Sequence, residues 1–253
     1  MGRRLIALGS ADSGLAIVAA IDSPTHPDIG KDAGLLAGGG PINVALADSL
    51  GHVKPDVVID FSVPVASETV TEICLSRHIP LVMATTGLSE EQQQQLRQAA
   101  ATIPVVWSPS MSMTVNLAMK LAERAALTLK DLAGGVDVEI IERHHRMKQD
   151  APSGTALKFG EIIAAAMGQT VHRHGREGQV GQRPPGEIGY HAVRTGDNPG
   201  EHTIIFGLLG ETLEVTVKAT NRDCYAAGAL AAAKFLAGKP AGLYSMNDVL
   251  GLA

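Results

Sequence analysis

Pro55 to Gly87 reads PDVVIDFSVPVASETVTEICLSRHIPLVMATTG, and the fold class turns on how this stretch is read. PDVVIDFS and IPLVMATTG are nearly continuous apolar runs of strand length, as expected for parallel strands buried on both faces. Between them, VPVASETVTEICLSRH has helical apolar spacing at Val70, Ile73 and Cys74. Strand, helix and strand in that order predict a parallel sheet with crossover helices. Outward from it, RRLIALGSA has helical spacing through Leu5, Ile6 and Leu8, LAIVAAID is a short apolar run ending in Asp22, and IPVVWSPS reads as another strand. SEEQQQQLRQAAA opens with Ser89 and Gln92, a capping-box pair that signals its helix start.

The second half has a different rhythm. MTVNLAMKLAERAALTL predicts a long helix, VDVEIIERHH a strand, and GTALKFGEIIAAAM a helix ending at Gly168. Val171 to Pro199 is rich in Gly, Arg and Pro and reads as loop apart from EIGYHAVR. EHTIIFGLLGETLEVTVKA predicts a hairpin around a glycine-containing turn, and YAAGALAAAKFLAG a helix that returns to the first sheet. The expected architecture is α/β: a parallel-sheet domain, residues 1–114 and 223–253, and an α+β domain with a mixed sheet, residues 115–222.

The 253 residues suffice for two domains with real cores, and a formal charge of −5 argues against a general nucleic-acid binder, which needs a basic face. Cys74 and Cys224 stand far apart without metal-ligand spacing, so neither a disulfide framework nor a zinc cluster is implied. A reducing, cytoplasmic setting fits, with no signal-peptide pattern. No apolar run reaches about 18 residues, the length that suggests a membrane span.

Chemistry-bearing groups crowd into HHRMKQDAPSGTA, residues 144–156. In VDVEIIERHH the even positions run Val136, Val138, Ile140, Glu142 and His144, while the odd ones end in Arg143 and His145. If the strand persists to its end, the two histidines point to opposite faces and do not share a metal, and none is expected. Ser153 lies in Ala-Pro-Ser-Gly-Thr, which lacks the strained elbow of a nucleophilic serine and suits a helix N-cap. Ser153, Gly154 and Thr155 open a helix whose free N–H groups and dipole can hold a carboxylate or phosphate. Lys148 and one histidine supply positive charge beside it. The other histidine is a candidate general acid, since its unperturbed pKa is near working pH. Asp150 can accept bonds from neighbouring backbone and stiffen the turn.

Glu142 to Ala156 match E-x-H-H-x-x-K-x-D-A-P-S-G-T-A throughout, and VVIDFS.P, TTG, VN…K, REG..G.R..G.IG, VR.GD..GEHT and GAL.AA.FL.GK…G.Y.M.DVL follow in family order. In these motifs, spread over essentially the whole chain, the sequence resembles the 4-hydroxy-tetrahydrodipicolinate reductase (dihydrodipicolinate reductase) family of bacterial lysine and diaminopimelate synthesis. The resemblance implies an NAD(P)H-dependent oxidoreductase acting on a cyclic dicarboxylate, a Rossmann-like sheet domain, and a homotetramer assembled through the second domain. It implies that His144 is the proton donor/acceptor and Lys148 the second catalytic donor. His145, with Ser153, Gly154 and Thr155 at the helix start, would grip a substrate carboxylate. Asp22 falls where an acid binds the adenosine ribose. Ala84, Thr85 and Thr86, then Ser108, Pro109, Ser110 and Met111, occupy the loops that approach the nicotinamide end.

The family begins with a strand and a G-x-x-G-x-M-G loop, and Met1-Gly2 align with the last two residues of that loop. The expectation is therefore that the first strand and its leading glycines lie upstream of this start; the alternative is a short form that binds cofactor poorly. Loss of that central strand should leave apolar faces open on both its neighbours. Ser110 stands where Asn is common and Ala84 where Gly is usual. Asp22 is followed by Ser23, and the next cation is Lys31, which favours NADH over NADPH. The rivals are a non-catalytic relative that keeps the dicarboxylate pocket without a working cofactor site, and an oxidoreductase of the same architecture such as an aspartate dehydrogenase. Retention of His144 and Lys148 argues against the first, and the two-histidine motif followed by PSGTA against the second.

Overall fold

The computed structural model describes residues 1–252 and divides into two units, Met1–Met113 with Arg222–Gly251, and Thr114–Asn221. The first contains α1 (Gly2–Ala11), β1 (Ala20–Ile21), α2 (Ala33–Leu36), β2 (Leu46–Ala47), β3 (Val58–Asp60), α3 (Pro64–Arg77), β4 (Leu81–Met83), α4 (Glu90–Ala99) and β5 (Pro104–Trp107). The second runs through α5 (Met113–Leu129), β6 (Asp137–His144), α6 (Gly154–Met167), β7 (Val171–His174), β8 (Glu187–Arg194), β9 (Glu201–Leu208) and β10 (Glu211–Lys218). The chain then re-enters the first unit with α7 (Asp223–Leu236), β11 (Gly242–Tyr244) and α8 (Met246–Val249).

The Pro55–Gly87 stretch forms β3, α3 and β4, with Val58–Asp60 pairing in parallel on Leu81–Met83. β5 adds to β4 and β11 to β5, also in parallel. Continuous apolarity in these strands reflects burial on both sides. Leu81, Met83 and Val105 pack with Cys74 of α3 and Leu96 and Ala99 of α4, whereas Val82 and Val106 pack with Ala229, Ala232 and Leu236 of α7. Ser89 and Gln92 make the reciprocal capping box at the start of α4. LAIVAAID contributes only Ala20–Ile21 to a ladder, paired with Leu46–Ala47 in a separate two-stranded sheet. β3 is an edge of the four-stranded sheet, and its Val58 and Ile59 are half-buried where β4 beside them is fully buried.

The second unit is a mixed sheet in the order β10-β9-β6-β8-β7. β6 lies at its centre, antiparallel to β9 and parallel to β8. Its buried face carries Val138 and Ile140 against Ile188, Ile204 and Phe206 of the sheet and Phe159 and Ile163 of α6. One expectation is corrected here. Val171–His174 is not loop but the edge strand β7, parallel to β8. All four of its residues are exposed, so it had no apolar alternation to betray it. It is held instead by ladder bonds and by Tyr190, on whose ring His172 and His174 both stack. Among the described residues, no helix is long and apolar enough to cross a membrane.

Candidate active site

Strand alternation assembles the site. The even positions of β6 face the core, and the last two of them are polar: Glu142 is 1 % exposed and His144 8 %. A buried carboxylate and a buried imidazole need partners. His144 Nδ1 lies 2.6 Å from Glu142 Oε2. From β8, where Arg194 is the register partner of His144, the guanidinium donates to Glu142 Oε2 at 2.8 Å and to Oε1 at 2.7 Å. It also donates to the Asp150 carbonyl at 2.6 Å, tying the turn to the strand. The Ser153 N–H donates to Glu142 Oε1 at 3.1 Å.

β6 stops at His144, so the opposite-face expectation does not extend to His145. His145 begins the turn; it is half-buried, and its buried Nδ1 has no partner among the described residues. Lys148 Nζ pairs with Asp150 Oδ1 at 2.8 Å. Asp150 thus ties the turn together through Lys148 on its carboxylate and Arg194 on its carbonyl. Ser153 caps α6: its Oγ accepts from the Ala156 N–H at 3.1 Å and lies 2.9 Å from His202 Nε2. With its N–H and hydroxyl both engaged, Ser153 is spent on the protein. The next two N–H groups, those of Gly154 and Thr155, have no partner among the described residues, and nothing lies within 4 Å of where a Gly154 Cβ would be.

Burial works against ionisation of Glu142, but Arg194 and His144 outweigh it and hold the carboxyl below its usual range. Burial also lowers the His144 pKa; Glu142 partly restores it, and Lys148 and Arg194 oppose the imidazolium. His202, whose ring meets that of His144 at 5.2 Å and 75°, is pushed down to about 4 by burial and then by the neighbouring positive groups. It is a neutral imidazole near pH 7. Lys148 holds the Asp150 carboxyl below its usual range.

The remaining sequence-derived residues lie in the first unit. Asp22 follows β1, is exposed, and accepts the Ser23 N–H at 2.8 Å. Residues 84–86 and 108–111 leave the carboxyl ends of adjacent parallel strands, where Met83 pairs with Trp107. Ala84 and Thr85 turn inward, the latter donating to Asp60 Oδ2 at 3.1 Å, and Thr86 is exposed. Ser108 and Met111 are buried, Ser108 Oγ accepting the Met246 N–H at 2.7 Å, while Pro109 is exposed and Ser110 half-buried. Sequence reasoning gave no role to Glu142, Arg194, His202 or Gly200. Gly200 flanks His144 so closely that a Cβ there would sit 2.9 Å from Nε2. All four stand within the motifs quoted above, but only the register of β8 and β9 on β6 brings them to one place.

Residues 1–111 match the family described as dihydrodipicolinate reductase, N-terminus, and residues 114–250 its C-terminus. The chain is similar to a 4-hydroxy-tetrahydrodipicolinate reductase of Rhodopirellula baltica, 58 % identical and covering 100 % of this chain and 93 % of that protein. It is similar to another of that name from Alkalilimnicola ehrlichii, 47 % identical over 100 % of this chain and 95 % of the relative. A solved structure, a dipicolinate-bound dihydrodipicolinate reductase from Paenisporosarcina sp. TG-14, aligns with TM-score 0.76 and 25 % identity over 97 % of this chain and 94 % of that one.

Proposed function

Because the chain belongs to the dihydrodipicolinate reductase family over both its halves, it is an oxidoreductase that converts 4-hydroxy-tetrahydrodipicolinate to tetrahydrodipicolinate in lysine biosynthesis, and we propose that the end of β6 and the start of α6 hold and protonate this substrate. The observation that carries the reading is a bonded imidazole, His144, in the same short segment as a lysine and an open helix N-terminus. A nicotinamide nucleotide, when bound, supplies a hydride. The reaction also takes up a proton and releases the hydroxyl group as water, so it needs an acid. His144 Nε2 provides it, with Lys148 as second donor once a substrate carboxylate draws it from Asp150. The Gly154 and Thr155 N–H groups take a carboxylate, with the His145 imidazole, whose Nδ1 has no partner among the described residues, as a further donor to it; Ser153 orients that helix start from behind.

The first unit fits a dinucleotide. Two loops leave the carboxyl ends of adjacent parallel strands, the usual ligand side of such sheets. The first N–H groups of α1 carry no capping side chain and so suit an anion. Asp22, exposed and followed by Ser23 rather than a cation, would accept ribose hydroxyls and favours NADH. The second unit would carry the oligomer contact: Ile141 and Val193 are exposed, and Ile205 half-buried, on the sheet face turned away from α6, consistent with a homotetramer whose mass light scattering would read. Cys74 and Cys224 are not joined in a disulfide, which suits a reducing setting such as the cytoplasm.

The test is oxidation of NADH and NADPH, side by side, with substrate generated from pyruvate and aspartate semialdehyde. His144→Gln and Lys148→Ala should each lower kcat by about 100-fold or more while the fold persists. Wild-type turnover in both variants would refute the assignment.

A further inference from the structure

We propose that Glu142, clamped by Arg194, is the positioning residue that decides which nitrogen of His144 exchanges a proton with the substrate. This rests on the reading of His144 as the proton donor. A carboxylate offers about four acceptor directions. Glu142 has four partners: His144 Nδ1 and Arg194 Nη1 on Oε2, and Arg194 Nη2 and the Ser153 N–H on Oε1. Three of these groups can only donate, and so can the fourth if the carboxyl is ionised. A protonated carboxyl could keep the fourth contact only by donating to Nδ1, and it would then leave the two-pronged Arg194 guanidinium without the carboxylate charge it grips, in a site where Glu142 is 1 % exposed. Glu142 is therefore an anion, Nδ1 of His144 carries the hydrogen, and Nε2 is left to gain and lose the working proton.

The surroundings of Nε2 agree. The atom is flanked by Gly200, where a Cβ would intrude to 2.9 Å, and Gly200 is fixed by its N–H bond to Asn198 Oδ1 at 2.8 Å. The charged and titratable groups facing His144 are Glu142 on its own strand, Arg194 on β8, His202 on β9 and Lys148 in the turn. Only Glu142 is negative. Without its charge, the imidazolium would face two cations, and either ring nitrogen could carry the hydrogen of the neutral form.

Long-range proton–nitrogen correlation spectra of the histidine-labelled full chain read the tautomer directly, with the His144 signal identified by its loss in His144→Gln. In the wild type, neutral His144 should be the Nδ1–H form. In Glu142→Gln, the Nε2–H form should appear and the His144 titration should move down by about one pH unit or more. In the same variant, kcat should fall by about 10- to 100-fold with little change in KM, and the high-pH limb of the kcat profile should move down with the titration. Glu142→Asp, which restores the charge, should recover part of both. An Nε2–H tautomer in the wild type would overturn the proposal, as would an unshifted His144 titration in Glu142→Gln even if activity fell. If Glu142→Gln does not fold, the wild-type tautomer alone decides. If His144→Gln keeps wild-type turnover, the proton-donor reading fails, while the spectra still decide what Glu142 does.

Discussion

Gly200 holds φ +147°, in the region that favours glycine, and its missing side chain leaves room beside His144 Nε2. Gly200→Ala should strain the backbone and crowd that nitrogen, lowering kcat/KM on the order of 100-fold while the circular dichroism of the fold is kept; steady-state kinetics measure it. His202 gives a second residue-scale expectation. Its pKa is 6.5 when unperturbed and about 4 when folded, so below pH 6.5 the unfolded chain binds a proton that the folded chain refuses. Stability should therefore be undiminished by this group above pH 6.5 and fall as pH drops towards 4, by up to about 3 kcal/mol. Denaturant titrations across that range measure it, and in His202→Asn the slope should flatten.

At the scale of elements, α6 meets β8 at a contact that tolerates nothing larger than hydrogen. A Cβ on Gly160 would lie 1.7 Å from the Tyr190 hydroxyl oxygen, which is bonded to His172 Nδ1 at 2.7 Å. Gly160→Ala should cost about 1–3 kcal/mol by overpacking, seen as a lower denaturation midpoint with an unchanged slope. Elements that bury a face were legible in the sequence. The phase of β6 foretold that Glu142 and His144 join Val138 and Ile140, because period-2 alternation is local information. Ser89 with Gln92, and Gly168 after α6, marked helix ends for the same reason. β7 was not legible, since VHRH has no buried face. Nor were the long-range neighbours of Glu142: Arg194 binds it and His202 lies opposite it through strand register, which depends on residues 50 or more positions away and leaves no trace in local pattern. Past His144 the contact continues outside the regular ladder, the Thr195 N–H donating to the His144 carbonyl and the Arg146 N–H to the Gly196 carbonyl, and this too is long-range pairing.

At the scale of the molecule, the two units differ in how the chain builds them. The Thr114–Asn221 unit is continuous and has its own core of Val138, Ile140, Phe159, Ile188, Ile204 and Phe206. The other is discontinuous: Val82 and Val106, on one face of its sheet, are covered by Ala229, Ala232 and Leu236 of α7. A fragment of residues 114–221 should therefore unfold cooperatively, with dispersed amide resonances, whereas residues 1–113 alone should give neither. Fragment denaturation followed by circular dichroism separates the two outcomes.

The late return of α7 also has a meaning for synthesis. A ribosome delivers β3, β4 and β5 before the self-sufficient sheet, and the helix that covers Val82 and Val106 only after it. Throughout the translation of the middle unit, the nascent amino-terminal sheet carries a bare apolar face in a crowded medium. The hazard for this chain is one of timing: a stretch made late closes one made early, and a pause or premature stop after residue 221 leaves that surface open to its neighbours.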